Sequence, residues 1–203
     1  MTKSALVLGT RNRKKGAELA DLLAPWGLSV VTLDDLPNAI DVVEDGDTFA
    51  ANAALKATRQ AAHLERWVLA DDSGLVVDAL GGAPGVYSAR FAGPNASDED
   101  NNRFLLQQLN NTPLEKRTAH YVCHVTLADP HGIVRAESHA ECHGRIRFKP
   151  AGTNGFGYDP LFEVIEHHRT FGELGPYVKR AISHRARAMR EILPKIARSM
   201  GQD

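Results

Sequence analysis

Residues 67–93 read WVLADDSGLVVDALGGAPGVYSARFAG. The apolar run Val68-Leu69-Ala70 ends in two adjacent aspartates, and a second run, Leu75-Val76-Val77, leads into the glycine–proline turn Gly81–Gly85. Short apolar runs bounded by turn residues predict two buried strands, with Asp71 and Asp72 at the end of the first. Open α/β sheets bind ligands beyond the ends of their strands, so carboxylates placed there mark a candidate site. Side chains alternate along extended chain, so one aspartate is expected to face a cleft while the other braces neighbouring backbone. The same Asp-Asp-Ser-Gly also fits a plain turn.

Upstream of this stretch, Ala5–Leu8 and Val30–Leu33 read as short strands. Between them Leu19, Leu22 and Leu23 fall on one face of a helix that starts at Lys15. Thr48–Leu64 is alanine-rich and free of Gly and Pro, which predicts a helix. Downstream, Ser97-Asp98-Glu99-Asp100 resembles a capping box ahead of Phe104, Leu105, Leu106 and Leu109. Thr118–Leu127 and Ile133–Cys142 alternate around Asp-Pro-His-Gly, a long hairpin, and Arg145–Phe148 offers one further strand. Met189, Ile192, Leu193, Ile196 and Met200 form a helical stripe that Pro194 is expected to kink or end. This order predicts an α/β fold, a mixed sheet with helices packed on it.

With 203 residues the chain fits one domain or two closely packed lobes. A formal net charge of −1 provides no global basic field, which argues against nucleic acid and anionic membranes as partners. No apolar run approaches a membrane span, and the first residues lack the apolar stretch of a signal peptide. Two cysteines are too few for a disulfide framework, so a cytoplasmic location is expected. Cys123-His124 and Cys142-His143 do not read as a zinc site, because successive strand residues point to opposite faces.

Three further segments carry chemistry. Gly9–Gly16, GTRNRKKG, joins a strand to a helix, where backbone N–H groups and the helix dipole favour phosphate. Arg11, Arg13, Lys14 and Lys15 add charge there, and Thr10 and Asn12 add side-chain donors, although the spacing of a Walker loop is missing. Ala151–Phe162 sets Phe156 and Tyr158 among glycines, where backbone can approach a ligand and a ring can stack on a base. Ser183 reads as an N-cap that puts His184 and Arg185 in a first helical turn, so something negative nearby must offset them. Hard carboxylate oxygens such as those of Asp72 and Glu44 suit Mg²⁺, which takes one or two of them together with substrate phosphates.

Taken in order, these segments resemble the inosine-triphosphate pyrophosphatase family, the RdgB-like enzymes that remove non-canonical purine nucleoside triphosphates. Thr10–Lys15 matches its [ST]xNxxK signature, and Glu44–Ala57 its acidic segment before a Phe-containing helix. Ala70–Arg90 matches ADDSGL…GGAPG…SAR, Gly155–Pro160 matches GFGYDP, and Lys179 with Ser183-His184-Arg185 matches the closing segment. The resemblance implies one nucleoside-triphosphate pyrophosphatase domain over residues 1–203, an elongated mixed β-sheet flanked by helices in two lobes around a central cleft. It implies Mg²⁺-dependent hydrolysis of ITP, dITP and XTP to the monophosphate and pyrophosphate, in a homodimer. Asp72 looks like the general base and a metal contact, Glu44 like the other metal acid, and the division of roles between Asp71 and Asp72 stays open. Thr10, Arg11, Asn12, Arg13, Lys14, Lys15, Lys56 and Ser73 are implied as substrate contacts. Phe156, Gly157, Tyr158, Asp159, Lys179, His184 and Arg185 are implied around the base. The alternatives are a pyrophosphatase for modified pyrimidine or methylated guanine nucleotides, and a nucleotide sensor that binds without hydrolysis. The DxDx[TV] order of haloacid-dehalogenase-type phosphatases is absent at Asp72.

Overall fold

The aspartate-bearing strand runs without a break through Val68–Val77, in place of the two short strands expected from sequence. Asp71 and Asp72 therefore lie inside a strand. The neighbouring parallel strand, Leu6–Leu8, stops opposite Leu69, so the aspartates fall just past its end. The computed structural model describes residues 5–201. In chain order the elements are β1 (Leu6–Leu8), α1 (Arg13–Leu23), β2 (Val30–Thr32), α2 (Phe49–Leu64), β3 (Val68–Val77) and α3 (Asp98–Gln108). There follow β4 (Thr118–Ala128), β5 (Val134–Ile146), β6 (Phe162–Val164), β7 (Arg169–Thr170), α4 (Pro176–Ile182) and α5 (His184–Ser199).

The strands form one seven-stranded sheet in the order β2-β1-β3-β4-β5-β6-β7. β1 is parallel to β2 and β3, whereas β5, β6 and β7 pair antiparallel, so the sheet is mixed, as the sequence predicts. The segment read as a separate strand from Arg145 is the end of β5, and β6 and β7 were not foreseen. Their two and three residues give too little periodicity to read.

The chain forms two compact units. The first comprises residues up to Asp72, Cys123–Ala140 and the segment from Arg185 onward. Here Leu6, Leu8, Leu69, Cys123, Val125 and Leu127 pack with Leu19 and Leu23 of α1 and with Met189, Ile192, Leu193 and Ile196 of α5. The opposite face, Val7, Val68, Ala70 and Ala128, packs with Ala57 and Ala61 of α2. The unit is thus three-layered, with α1 and α5 on one side and α2 on the other. Leu19 and Leu23 are fully buried, and truncating either to alanine would cost ~2–5 kcal/mol. α5 continues through Pro194 and does not end there. The buried stripe of Ile192, Leu193 and Ile196 holds the helix together across the one missing N–H.

The second unit, Ser73–Val122 with Glu141–His184, has its own core of Leu75, Val77, Leu105, Leu109, Tyr121, Cys142, Ile146, Phe162 and Phe171. Its helix α3 begins at the foreseen capping box: Ser97 Oγ accepts from Asp100 N–H, and Asp100 accepts from Ser97 N–H. Among the described residues, no helix is long and apolar enough to cross a membrane.

Candidate active site

Alternation along β3 decides what each aspartate meets. Asp71 lies on the side of Leu69, facing α1 and α5, and Asp72 lies on the side of Ala70, facing α2. Asp71 Oδ2 accepts from Arg185 Nη2 and Nε at 3.2 and 3.3 Å and lies 3.8 Å from Lys15 Nζ. The third Arg185 nitrogen, Nη1, binds the Glu18 carboxylate. Arg185 is only 2% exposed, so this is a buried ion network of two cations and two carboxylates. On the other side, Lys56 Nζ donates to Asp72 Oδ1 at 3.0 Å and to Glu44 Oε2 at 2.8 Å.

These surroundings make two neighbouring carboxylates chemically different. Burial opposes ionisation of Asp71, but the charges of Lys15, Arg185 and Lys56 and the Arg185 hydrogen bond outweigh it, holding its pKa far below the usual carboxylate range. Asp72 is shifted the other way. Burial raises its pKa, opposed by Lys56 and Lys15, while Glu44 adds repulsion. Burial would lower the pKa of Lys56, yet the charges of Asp72, Asp71 and Glu44 prevail and raise it, so the ammonium is retained.

The strand-to-helix loop is shorter than expected. α1 starts at Arg13, because Asn12 caps it by accepting from Lys14 and Lys15 N–H at 3.0 and 3.1 Å. Arg13, Lys14 and Lys15 therefore stand in the first helical turn, and Thr10 Oγ1 accepts from Asn12 N–H. Arg11 pairs with Asp41 at 2.6 Å and Arg13 with Asp34 at 3.2 Å, both near the surface. Lys15 reaches the acidic strand, at Asp71. Ser73 follows Asp72 directly in β3.

The second cluster is built around Asp159, 2% exposed. Its Oδ2 accepts from Phe156 N–H at 2.9 Å and from Lys179 Nζ at 2.6 Å, and its Oδ1 accepts from Tyr121 OH at 3.4 Å. Lys179 Nζ also stands 4.6 Å from the centre of the Phe156 ring. Gly155 makes this possible: its φ is +75°, and a Cβ there would lie 1.9 Å from Asp159 Oδ2. Tyr158 OH donates to Ser88 C=O at 2.8 Å, and burial, then Asp98, pushes its pKa up. His184 is buried and stacks on Tyr121, with ring centres 4.6 Å apart and 8° between planes. Ser183 ends α4 in extended backbone and directly precedes α5, so His184 and Arg185 open that helix as expected. The negative groups offsetting Arg185 are Asp71 and Glu18.

The structure thus gathers Lys15, Glu44, Lys56, Asp71, Asp72 and Arg185 in the first unit, and Phe156, Asp159, Lys179 and His184 in the second. Gly157 and Tyr158 complete the loop between Phe156 and Asp159. Glu18, Tyr121, Asp98 and Asn102 belong to these networks and escaped the sequence reading. Glu18 carried one signal, standing three residues after Lys15 on the same helix face. Tyr121 carried another, as the aromatic on the inward positions of β4 with a hydroxyl that needs a partner.

An open mixed α/β sheet that sets lysines and carboxylates just past the end of a parallel strand defines an α/β protein with a polar, charge-rich centre suited to an anionic ligand. Comparison narrows this class. The Ham1 family model matches residues 6–195, and the chain belongs to the Ham1 family. It is 56% identical over 193 residues to a dITP/XTP pyrophosphatase of Rhodopirellula baltica, covering 95% of this chain and 93% of that one. It is 50% identical over 191 residues to the enzyme of the same name from Exiguobacterium sp., covering 94% and 96% of the two chains. A HAM1 protein from Coxiella burnetii has the same fold, with a TM-score of 0.86, 36% identity, and coverage of 96% of this chain and 99% of that one.

Proposed function

We propose that this protein is a nucleoside-triphosphate pyrophosphatase that hydrolyses dITP, XTP and ITP to the nucleoside monophosphate and pyrophosphate. The observation that carries the reading is the contrast between the two aspartates. Asp71 is locked to Arg185 and Lys15 in its ionised form, whereas Asp72 is raised in pKa beside Lys56 and Glu44. Asp71 is engaged by two cations, whereas Asp72 shares the Lys56 ammonium with Glu44, so Asp72 takes the role of base and Asp71 serves as the fixed counter-charge of Lys15 and Arg185. The family relatives named dITP/XTP pyrophosphatase support the substrate class.

In this reading Asp72 accepts a proton from a water that attacks the α-phosphorus. A new P–O bond forms, the bond to the β-phosphate oxygen breaks, and pyrophosphate leaves. Lys15 and Lys56 hold the phosphates and offset their charge. Glu44 and Asp72 fit Mg²⁺: both are hard oxygen donors, and both already reach the single Lys56 ammonium. Glu44 and Asp72 are the two carboxylates that would hold the ion. When bound, Mg²⁺ supplies Lewis-acid polarisation of the phosphoryl oxygens. Phe156 offers the base a stacking face, and His184 supplies a donor for an oxygen of a hypoxanthine or xanthine edge; Arg185, expected beside it, is engaged by Asp71 and Glu18 instead. Adenine presents an amino group there and would leave such a donor unpaired. The enzyme is proposed to act in the cytoplasm as a homodimer, which light scattering of the purified protein would test.

The test is to incubate the protein and Mg²⁺ with ITP, dITP, XTP, GTP, ATP and dTTP separately and to separate the products. Monophosphate plus pyrophosphate from the first three, with ATP largely intact, is the expected outcome. Release of inorganic phosphate alone, or preference for dTTP, would refute it. Asp72→Asn should lower kcat ~10²-fold or more while nucleotide binding survives. Near-wild-type turnover by that variant would remove Asp72 from the role of base.

A further inference from the structure

Gly157 follows Phe156 in the left-handed region, with φ +60°. Both polar groups of this residue are gripped by one helix face. Gly157 N–H donates to Asp98 Oδ2 at 3.0 Å, and Gly157 C=O accepts from Asn102 Nδ2 at 2.8 Å. Asp98 and Asn102 stand four residues apart on α3 and so share a face. The second Asn102 amide contact, to Asp98 C=O at 2.8 Å, fixes the orientation of its side chain. On the other side, Phe156 N–H is held by Asp159 and the ring lies under Lys179. The backbone on either side of the aromatic ring is therefore anchored, once by the buried Asp159–Lys179 pair and once by the opening turn of α3.

We propose that Asp98 and Asn102 are positioning residues for base recognition: by holding both polar groups of Gly157 they fix the plane of Phe156 on which the purine stacks. This rests on the assignment of Phe156 as the stacking platform. Neither residue needs to touch substrate. Their effect falls on substrate binding through the base, and leaves untouched the affinity of the phosphate-binding residues for a ligand without a base.

The experiment compares wild type, Asp98→Ala, Asp98→Asn and Asn102→Ala with ITP as substrate and inorganic triphosphate as competitive inhibitor, alongside thermal unfolding. Each alanine variant should raise KM for ITP about 3- to 10-fold, the scale of one lost hydrogen bond, with kcat within about 2-fold. The inhibition constant of inorganic triphosphate should stay at the wild-type value. Asp98→Asn keeps an oxygen to accept Gly157 N–H and should recover most of the wild-type KM. Gly157→Ala, where nothing lies within 4 Å of the new Cβ but the positive φ becomes strained, should shift KM in the same direction. An unchanged KM in both alanine variants overturns the proposal. So does a parallel rise in KM and in the triphosphate inhibition constant, which marks general loss of structure. If Phe156→Ala itself leaves KM for ITP unaltered, the stacking assignment fails and this inference falls with it, while pyrophosphate release by the wild type still stands as the proposed reaction.

Discussion

Replacing Arg185 with methionine tests whether the buried network around Asp71 stabilises the fold. The guanidinium donates to Asp71 through Nε and Nη2 and to Glu18 through Nη1, and it lies buried in the first turn of α5. In its absence Asp71, 1% exposed, keeps Lys15 at 3.8 Å. Breaking a buried pair by removing one partner costs about 3–5 kcal/mol, chiefly because the remaining charge is left in a poor solvent. For a chain of this size 1 kcal/mol moves the melting temperature by about 2–4 °C, so the variant should melt roughly 6–20 °C below wild type at pH 7. The pH dependence supplies the sharper test. The depressed pKa of Asp71 gives wild type a stability contribution that is present above the ordinary carboxylate value of 3.8 and lost as pH falls through the folded value below it. In the variant the charge and hydrogen bond of Arg185 are lost and only Lys15 and Lys56 oppose burial, so the pKa of Asp71 rises and protonation relieves the buried charge at a higher pH. The gap in melting temperature should therefore narrow as pH is lowered from 7 to 4. A gap of under 2 °C at pH 7, or one that stays constant over that range, would refute the reasoning.

Three other outcomes follow from the same geometry. Phe156→Ala should raise KM for ITP, with base–aromatic stacking setting a scale of about 1–3 kcal/mol, or roughly 5- to 150-fold; an unchanged KM in steady-state assays would remove the ring from the base site. In the metal-free protein burial raises the pKa of Asp72, so its carboxyl should titrate above 3.8 by carbon-13 NMR, and a midpoint at or below that value would count against the environment described for it. Cys123 is fully buried, and burial, then the Asp71 charge, pushes its thiol up to about 12, so a disulfide reagent at pH 8 should label it only after unfolding.

Much of this was legible because the informative residues sit where local rules act. Ser97 and Asp100 cap α3 as their spacing predicts, the alanine-rich run Thr48–Leu64 forms α2, and the alternation of Thr118–Leu127 forms β4. The misreadings came from non-local pairing. Asp71-Asp72-Ser73-Gly74 has the composition of a turn, yet it stays extended because β3 is held between β1 and β4 and the ladder outweighs local preference. Pro194 stays in α5 because the buried stripe outweighs one lost hydrogen bond. At the site, the cations of the Thr10–Lys15 loop looked equivalent in sequence. Arg11 and Arg13 instead turn to Asp41 and Asp34, partners 30 and 21 residues away that no local pattern could identify. Asp98 reads only as part of a helix start and Asn102 carries no local signal, since their partner Gly157 lies more than fifty residues on.

That β3 runs through the aspartate pair is what gives the pair its chemistry. In a turn, two adjacent carboxylates would share one solvent-exposed environment and titrate together. On a strand with helices on both faces, one step along the chain carries a side chain from one layer to the other. Asp71 enters the α1–α5 layer, where Lys15 and Arg185 keep it charged at any working pH. Asp72 enters the α2 layer, where a single lysine is shared with Glu44. A shift of either aspartate by one residue would exchange those environments, and the proton acceptor would become the ion-paired group. The double change Asp71→Asn with Asp72→Asn should therefore lose no more activity than Asp72→Asn alone loses. Any additional loss should appear as reduced stability, which urea titration of the two variants side by side would register. If Asp71→Asn alone abolishes turnover while leaving the unfolding midpoint unchanged, the two roles are the reverse of those argued from the strand.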